Sequence, residues 1–184
     1  MQERIQYTLH QAGENSSELK KVLDHYQNQP EKLKAARFLI ANIPAHRTYV
    51  GKEIDSLKQM KKESIQQGRI SDEIVTHWKS FDYSSSQVVK DIDVIKADIL
   101  IENIDLAFEA WEKRSWNKQY SFEDFCEYVL PYRIGDEPLE KWRRIYYERY
   151  SPVLDSLYQG NDVVEAARVM ANYLKEEGFT NHTD

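Results

Sequence analysis

Apolar residues recur at helical spacing through most of this 184-residue chain. The clearest example is the segment 98–113, where Leu100, Ile104, Phe108 and Trp111 follow one another at intervals of three or four residues. A helix with this spacing has one apolar face, which it buries against other helices. Only six glycines and five prolines interrupt the chain, which argues against a β-sandwich. The pattern predicts an all-α fold, an orthogonal or irregular bundle of about seven to eight helices, with segment 98–113 as the central helix.

The amino-terminal part predicts three consecutive helices. The first covers about residues 3–12 and ends at Gly13, the residue type that most easily takes the left-handed conformation after a helix. Asn15 and Glu18 are spaced as a reciprocal capping pair for the second helix. The third begins at Pro30, since proline is favoured in the first turn.

The middle of the chain is less regular. We expect a partly exposed helix from about Lys52 to Gln66, although residues 49–51 could be extended. A short helix opening at Ser71 follows. The sequence QVVKDIDVI at residues 87–95 alternates partly like a strand and predicts a short extended segment packed against the helices.

A dense local pattern lies between Ser121 and Pro138. Ser121 and Asp124 have the spacing of a capping box, which predicts the start of a helix. That helix presents one apolar face, formed by Phe122, Phe125, Cys126 and Val129. Pro131 stops it because proline has no backbone donor. Pro138 is placed to begin the next helix at its first position.

Two further helices complete the prediction. The first carries the apolar stripe Leu139, Trp142, Ile145, Tyr146 and Tyr150 until Ser151-Pro152 ends or kinks it. The last helix begins near Asn161 or Asp162 and ends at Gly178. Its buried face is predicted to contain Val163, Ala166, Ala167, Met170, Tyr173 and Leu174.

The elbow between the helix that starts at Ser121 and the helix that starts at Pro138, residues 132–137, is the predicted interaction site. It is longer than a tight connection requires, and it carries tyrosine and arginine, which often anchor interfaces. Together with two aromatic residues that precede it, the candidate interface consists of Trp116, Tyr120, Tyr132, Arg133, Ile134 and Gly135.

Arg133 is expected to form a charge-assisted bond with a carboxylate. Within the domain the candidate partners are Asp124, Glu127 and Asp136. A carboxylate of a neighbouring domain or a substrate is the alternative.

The sequence predicts no catalytic residue, metal site or cofactor. Cys126 lies on an apolar helix face beside two acidic residues, which is typical of a buried structural thiol. Glu123 and Glu127 could form a carboxylate pair, but the helix dipole already explains acidic residues in a first turn. The histidines form no HxxxH or ExxH pattern. The glycines are isolated, so no phosphate-binding loop is present.

Charge and hydropathy limit the partners. The net charge of −6 and the absence of a basic stripe argue against nucleic acid. No uncharged run approaches the ~20 residues that a transmembrane helix needs. The start of the chain, MQERIQYTLHQAG, has no apolar core of a signal peptide, so the protein is either cytoplasmic or has lost a leader.

Three segments resemble, in the same order, the helical amino-terminal region that precedes a transglutaminase-like domain in proteins of Bacteroides-type bacteria. They are HQAGENSSELKKVLDHY with KLKAARFLIANIP, then ADILIENIDLAFEAWEK, then SFEDFCEYVLPYRIGDEPLEKWR. The resemblance spans most of the chain, although residues 47–94 carry little of it.

The resemblance implies that chemistry resides in a downstream core with a Cys-His-Asp arrangement on a papain-like fold. No position of this chain matches that triad, because Cys126 belongs to the helical segment before the elbow. Similar proteins are often exported, which favours a periplasmic or cell-surface location and a trimmed leader.

The sequence therefore predicts a single helical domain over residues 1–184 without catalytic activity. Its expected role is to pack on a downstream transglutaminase-like core of the same polypeptide and to help shape the substrate cleft. The alternative is a free-standing helical module that binds a peptide or a glycan.

Overall fold

The computed structural model describes residues 1–67, 72–82, 84, 86–133, 135 and 139–177. This part of the chain is mostly helical and contains one small two-stranded sheet, which confirms the all-α prediction. The helices are α1 (Gln2–Gln11), α2 (Ser16–His25), α3 (Pro30–Asn42), α4 (Lys52–Gln67), α5 (Asp72–Ser80), α6 (Asp91–Val94), α7 (Ala97–Lys113), α8 (Phe122–Asp124), α9 (Trp142–Leu157) and α10 (Val163–Glu176). Within these ranges no helix combines the length and apolarity needed to cross a bilayer.

Helix α7 is the centre of the fold, as its periodicity predicts. It contacts α2 and α3 on one side and α9 on another, while α1 packs against α2 and α3. Of the residues predicted to form its apolar face, Leu100, Ile104 and Phe108 are buried, and Trp111 packs against the same core. The central helix therefore joins the amino-terminal helices to the carboxyl-terminal ones.

The two strands, β1 (Arg47–Val50) and β2 (Gln87–Lys90), form an antiparallel pair. Thr48 faces Val89 in this register, and β-branched residues suit such a ladder. The predicted extended segment 87–95 is therefore correct for its first four residues and wrong for the rest, since Asp91–Val94 forms a helical turn. The predicted helix from Lys52 to Gln66 is confirmed as α4.

The predicted capping pair at the start of α2 is wrong. Asn15 uses its side-chain amide to donate to the carbonyl oxygens of Ile92 and Ile95, at 3.0 and 2.9 Å. Glu18 accepts from the backbone N–H of Ala97 at 2.9 Å, so it caps α7 instead of its own helix. Both side chains join α2 to the segment that leads into the central helix.

The capping box at Ser121 is confirmed. The Ser121 hydroxyl accepts from the backbone N–H of Asp124 at 3.1 Å, and the Asp124 carboxylate accepts from the N–H of Ser121 at 2.9 Å. After α8 the chain forms a π-helical turn, Phe125–Val129, instead of a continuous α-helix. It closes with a 2.9 Å bond from the N–H of Leu130 to the carbonyl of Phe125, and Pro131 prevents its extension.

The following helix differs from the prediction at both ends. α9 begins at Trp142, whereas residues 139–141 are not helical and Pro138 lies outside the described residues. The helix also continues through Pro152, which is exposed, so water can solvate the carbonyl that lacks an intrahelical donor. α10 begins directly after Asp162, as predicted, and Asp162 caps it by accepting from the N–H of Val164 at 2.8 Å. The predicted end at Gly178 lies beyond the described part of the chain.

Candidate interaction site

The elbow is fastened to the small sheet by a buried ion pair. Arg133 Nη1 donates to both carboxylate oxygens of Asp91, at 2.8 and 2.7 Å, and also to the carbonyl oxygen of Arg47. The Tyr132 hydroxyl donates to the same carboxylate at 2.8 Å. Asp91 is fully buried, and the side chain of Arg133 is 2% exposed. These contacts hold the start of the elbow against the end of β2.

The predicted partner of Arg133 therefore needs correction. The pair is internal, but the carboxylate is Asp91 and not Asp124 or Glu127, while Asp136 lies outside the described residues. Sequence spacing favoured acidic residues near Arg133 in the chain. The ion pair instead joins residues 42 positions apart, which the sheet brings together.

Tyr132 and Arg133 also have to be removed from the predicted interface. Both are buried, at 3% and 5% exposure, so their side chains are not available to another molecule. Burial and the neighbouring Asp91 carboxylate raise the pKa of Tyr132. Gly135 is exposed at a turn position with a φ of 57°, which favours glycine. Ile134 lies outside the described residues.

The two carboxyl-terminal helices leave their apolar faces partly uncovered. No residue of α9 is fully buried, and in α10 only Ala166 is. The face of α10 predicted to be buried is therefore mostly half-buried, and Ala167 is exposed. α10 contacts α9, which itself packs against α4 and α7, so this pair of helices lies at the edge of the bundle.

A cavity of about 600 Å³ lies between these helices, the end of α7 and the segment before the elbow. Eight aromatic side chains line it: Trp111, Trp116, Trp142, Tyr120, Tyr128, Tyr146, Tyr147 and Tyr150. We call this cavity the aromatic groove. It includes Trp116 and Tyr120, two of the predicted interface residues.

The floor of the groove is well fixed. Trp116 is 8% exposed, its ring lies 6.0 Å from that of Tyr158, and the guanidinium of Arg114 lies 5.6 Å from its centroid. Arg114 is in turn bound to the carboxylate of Asp155 and to the Ser151 hydroxyl. These contacts hold Trp116 in one position in the floor.

The rim of the groove contains two exposed tyrosines. Tyr128 is 79% exposed and Tyr120 is 44% exposed. Tyr128 belongs to the π-helical turn, a feature often found at functional sites. Sequence reasoning missed this residue because it treated the segment as a regular helix and considered only its apolar face. A large aromatic on the opposite, acidic face was the available signal.

Most polar groups of the groove already have partners within the domain. Asn117 donates to the carbonyl oxygens of Ala110 and Trp111. The Tyr147 hydroxyl donates to Glu109 at 2.8 Å. With Arg114 bound to Asp155, the groove presents mainly aromatic and apolar surface.

Arg143 differs from Arg114, because its hydrogen-bond partners among the described residues include no carboxylate. Its Nε donates to Asn103 Oδ1 at 2.8 Å, and its Nη2 donates to the carbonyl oxygens of Val129 and Pro131, at 2.6 and 3.1 Å. Its guanidinium lies 4.7 Å from the centroid of Trp142. Burial lowers its pKa to about 10, so it remains charged at neutral pH.

The prediction that Cys126 is buried is confirmed. The residue is 4% exposed, and burial, followed by the charges of Glu123 and Glu127, raises its pKa to about 11. It lies beneath a second cavity, of about 680 Å³, that shares Asp124 and Tyr128 with the aromatic groove. The thiol is therefore almost entirely protonated at neutral pH and a poor nucleophile.

Comparisons with protein-family models, with curated proteins and with solved structures gave no match.

Proposed function

We propose that this chain is a non-catalytic interaction domain that docks a polypeptide in its aromatic groove. The half-buried apolar faces of α9 and α10, with the aromatic residues of α9 in the groove, are the observation that carries this proposal. Monomeric proteins rarely leave large contiguous apolar patches uncovered unless another molecule binds there. On the sequence resemblance, the docked polypeptide is the transglutaminase-like core that follows such helical regions, and the domain helps to shape its cleft.

The polar groups of the groove favour a polypeptide over a glycan. Aromatic rings can stack on sugars, but each sugar hydroxyl also needs a hydrogen-bond partner, and an unpaired buried one costs about 1–3 kcal/mol. Asn117, Tyr147 and Arg114 already use their donors within the domain. Apolar and aromatic side chains of a polypeptide make no such demand, and tyrosine and tryptophan are common anchors in protein interfaces.

The proposal that the chain is not catalytic rests on the state of Cys126. A cysteine nucleophile needs a thiolate, and both burial and the adjacent glutamates favour the thiol here. We expect no incorporation of a fluorescent amine into a glutamine donor by the purified chain. Incorporation that disappears in Cys126→Ala would overturn this part of the proposal.

Docking at the groove can be tested by photo-crosslinking in the native host. Benzoylphenylalanine placed at Tyr128 reports on the rim of the groove, because its benzophenone inserts into nearby C–H bonds of peptides and sugars alike. The matched control is the same substitution at Tyr7, which is 59% exposed on α1 and does not line the groove.

We expect a crosslink from position 128, but not from position 7, to a defined polypeptide segment identified by mass spectrometry. A segment within a following transglutaminase-like domain supports the accessory role. A sugar adduct at position 128 would instead favour the free-standing glycan-binding module. Equal adducts at both positions, or none at either, would contradict docking in the groove.

A further inference from the structure

We infer that Arg143 determines the specificity of the aromatic groove by selecting polypeptide segments that carry a carboxylate among apolar or aromatic side chains. This inference rests on the proposed docking function and adds the chemical class of the partner. It starts from the charge of Arg143 and from the geometry that fixes its guanidinium.

Arg143 forms no salt bridge with a carboxylate in the described part of the chain. Its neighbours on or just before α9 differ in this respect. Lys141 pairs with Asp98 at 2.8 Å, and Arg144 pairs with Glu102 at 3.1 Å. Arg143 donates only to an amide and to backbone carbonyls. A half-buried cation without a counter-ion is costly, so an anion that reaches it gains more than it would at an exposed cation.

The geometry of Arg143 leaves one nitrogen for a ligand. Nε is held by Asn103 and Nη2 by the carbonyl oxygens of Val129 and Pro131, while the guanidinium carbon lies 4.7 Å from the centroid of the Trp142 ring. Nη1 makes no hydrogen bond within the described residues. It is also not among the buried side-chain nitrogen and oxygen atoms that lack a partner there, so solvent reaches it. The guanidinium is therefore already oriented, and a carboxylate can bind to it without the loss of rotamer freedom that a mobile arginine would undergo.

The surroundings of Arg143 define the rest of the ligand. Trp142, Tyr146 and Val129 line the same groove, so residues next to the carboxylate should be apolar or aromatic. The carboxylate can come from an Asp or Glu side chain or from a chain terminus. Both sources present the same pair of oxygens, and a peptide selection can separate them.

The experiment selects peptides on the 184-residue chain from two displayed random 12-residue libraries, one with a blocked and one with a free carboxyl terminus. We expect enrichment of sequences with Asp or Glu beside Trp, Tyr or Leu. For an enriched peptide made synthetically, replacement of the acid by its amide should weaken binding by about tenfold or more, since the lost bond is charge-assisted.

Protein variants then assign this preference to Arg143. Arg143→Gln should bind the acidic peptide and its amide analogue equally, whereas Arg143→Lys should keep a reduced preference for the acid. Arg168→Gln is the matched control, because Arg168 is an exposed cation of α10 that does not line the groove. This variant should behave as the wild type. If Arg143→Gln does not fold, Arg143→Lys takes its place: a preference for the acid equal to that of the wild type would overturn the assignment to Arg143.

The possible failures are distinguishable. Enriched peptides that bind in the groove with no preference for a carboxylate would overturn the inference about Arg143 and leave the docking function intact. A purely structural role of Arg143 gives the same result, because capping the carbonyl oxygens cannot distinguish an acid from an amide. If neither library yields a peptide that blocks the photo-crosslink from position 128, the docking function and this inference are overturned together.

Discussion

Residue types that are common in interfaces can instead stabilise the fold. Tyr132 and Arg133 do so here, because both bind the buried carboxylate of Asp91. We predict that Arg133→Ala lowers the free energy of unfolding by about 3–5 kcal/mol, because it leaves the Asp91 carboxylate buried without its cation. Urea denaturation measures this change. Arg168→Ala removes an exposed ion pair on α10 and should change stability by less than about 1 kcal/mol. Equal effects of the two substitutions would mean that the buried pair contributes no more than a surface one.

His46 provides a pH-dependent test of the same region. Its ring lies 5.6 Å from that of Tyr132, and burial lowers its pKa, with Arg133 acting in the same direction and Asp91 opposing. Because the folded-state pKa lies below the unfolded-state value, the unfolded chain takes up the proton first as the pH falls. The stability contributed by His46 is therefore complete above about pH 6.5 and is lost as the pH falls toward the folded-state pKa.

We predict that the free energy of unfolding falls between pH 7.5 and 5.5 and that His46→Asn reduces this fall. Urea denaturation of both proteins at the two pH values is the measurement. An identical pH dependence in the variant would show that His46 is not protonated differently in the folded and unfolded chains.

At the scale of the elements, the same local code has two different uses in this chain. Ser121 and Asp124 form the capping box that their spacing predicts, and among the described residues their side chains hydrogen-bond only to each other's groups. Asn15 and Glu18 have a similar spacing, yet they bind residues 77 to 80 positions away. Sequence spacing predicts only whether two residues can cap their own helix. Whether Asn15 and Glu18 do so, or bind the segment that leads into α7, is decided by the packing of α2 against the start of α7.

Asn15→Ser separates these roles by experiment. Serine is as good a helix cap as asparagine, so a capping residue would tolerate the change. Serine cannot reach the carbonyl oxygens of Ile92 and Ile95, and leaving buried carbonyls unpaired costs about 1–3 kcal/mol. We predict a loss of that size in thermal or urea unfolding. If Asn15→Ser is as stable as the wild type, Asn15 acts only as a helix cap.

The ends of the helices are predicted from the sequence less well than their centres. Long periodic segments such as α3 and α7 are found where the pattern places them, because a wide apolar face specifies both the helix and its burial. The π-helical turn at Phe125–Val129 and the start of α9 at Trp142 depend instead on contacts of the elbow. One such contact is the 2.6 Å bond from Trp142 Nε1 to the carbonyl of Tyr132. No periodicity encodes a contact of this kind.

At the scale of the whole molecule, the candidate site is an assembly of distant segments. Trp116 and Tyr120 could be chosen from the sequence because they are large aromatics outside an apolar stripe. Tyr132 is the same type of residue in the same region, yet it is buried, with its hydroxyl donating to the Asp91 carboxylate. Tyr146 and Tyr150 lie on a stripe that predicts burial, but α9 is at the edge of the bundle and their burial is incomplete. Exposure of an aromatic stripe depends on which helix is outermost, which is a property of the assembled fold.

The aromatic groove has a floor that supports the fold and a rim that faces solvent, and stability measurements should separate them. Trp116→Ala removes a buried ring and is expected to lower the free energy of unfolding by about 3–5 kcal/mol. Tyr128→Ala removes a side chain that is 79% exposed and should change stability by less than about 0.5 kcal/mol. The same Tyr128→Ala protein should nevertheless lose binding to peptides selected on the wild type, because exposed tyrosines are frequent anchors of interfaces. If Tyr128→Ala is as destabilising as Trp116→Ala, Tyr128 stabilises the domain itself and the rim is not a docking surface.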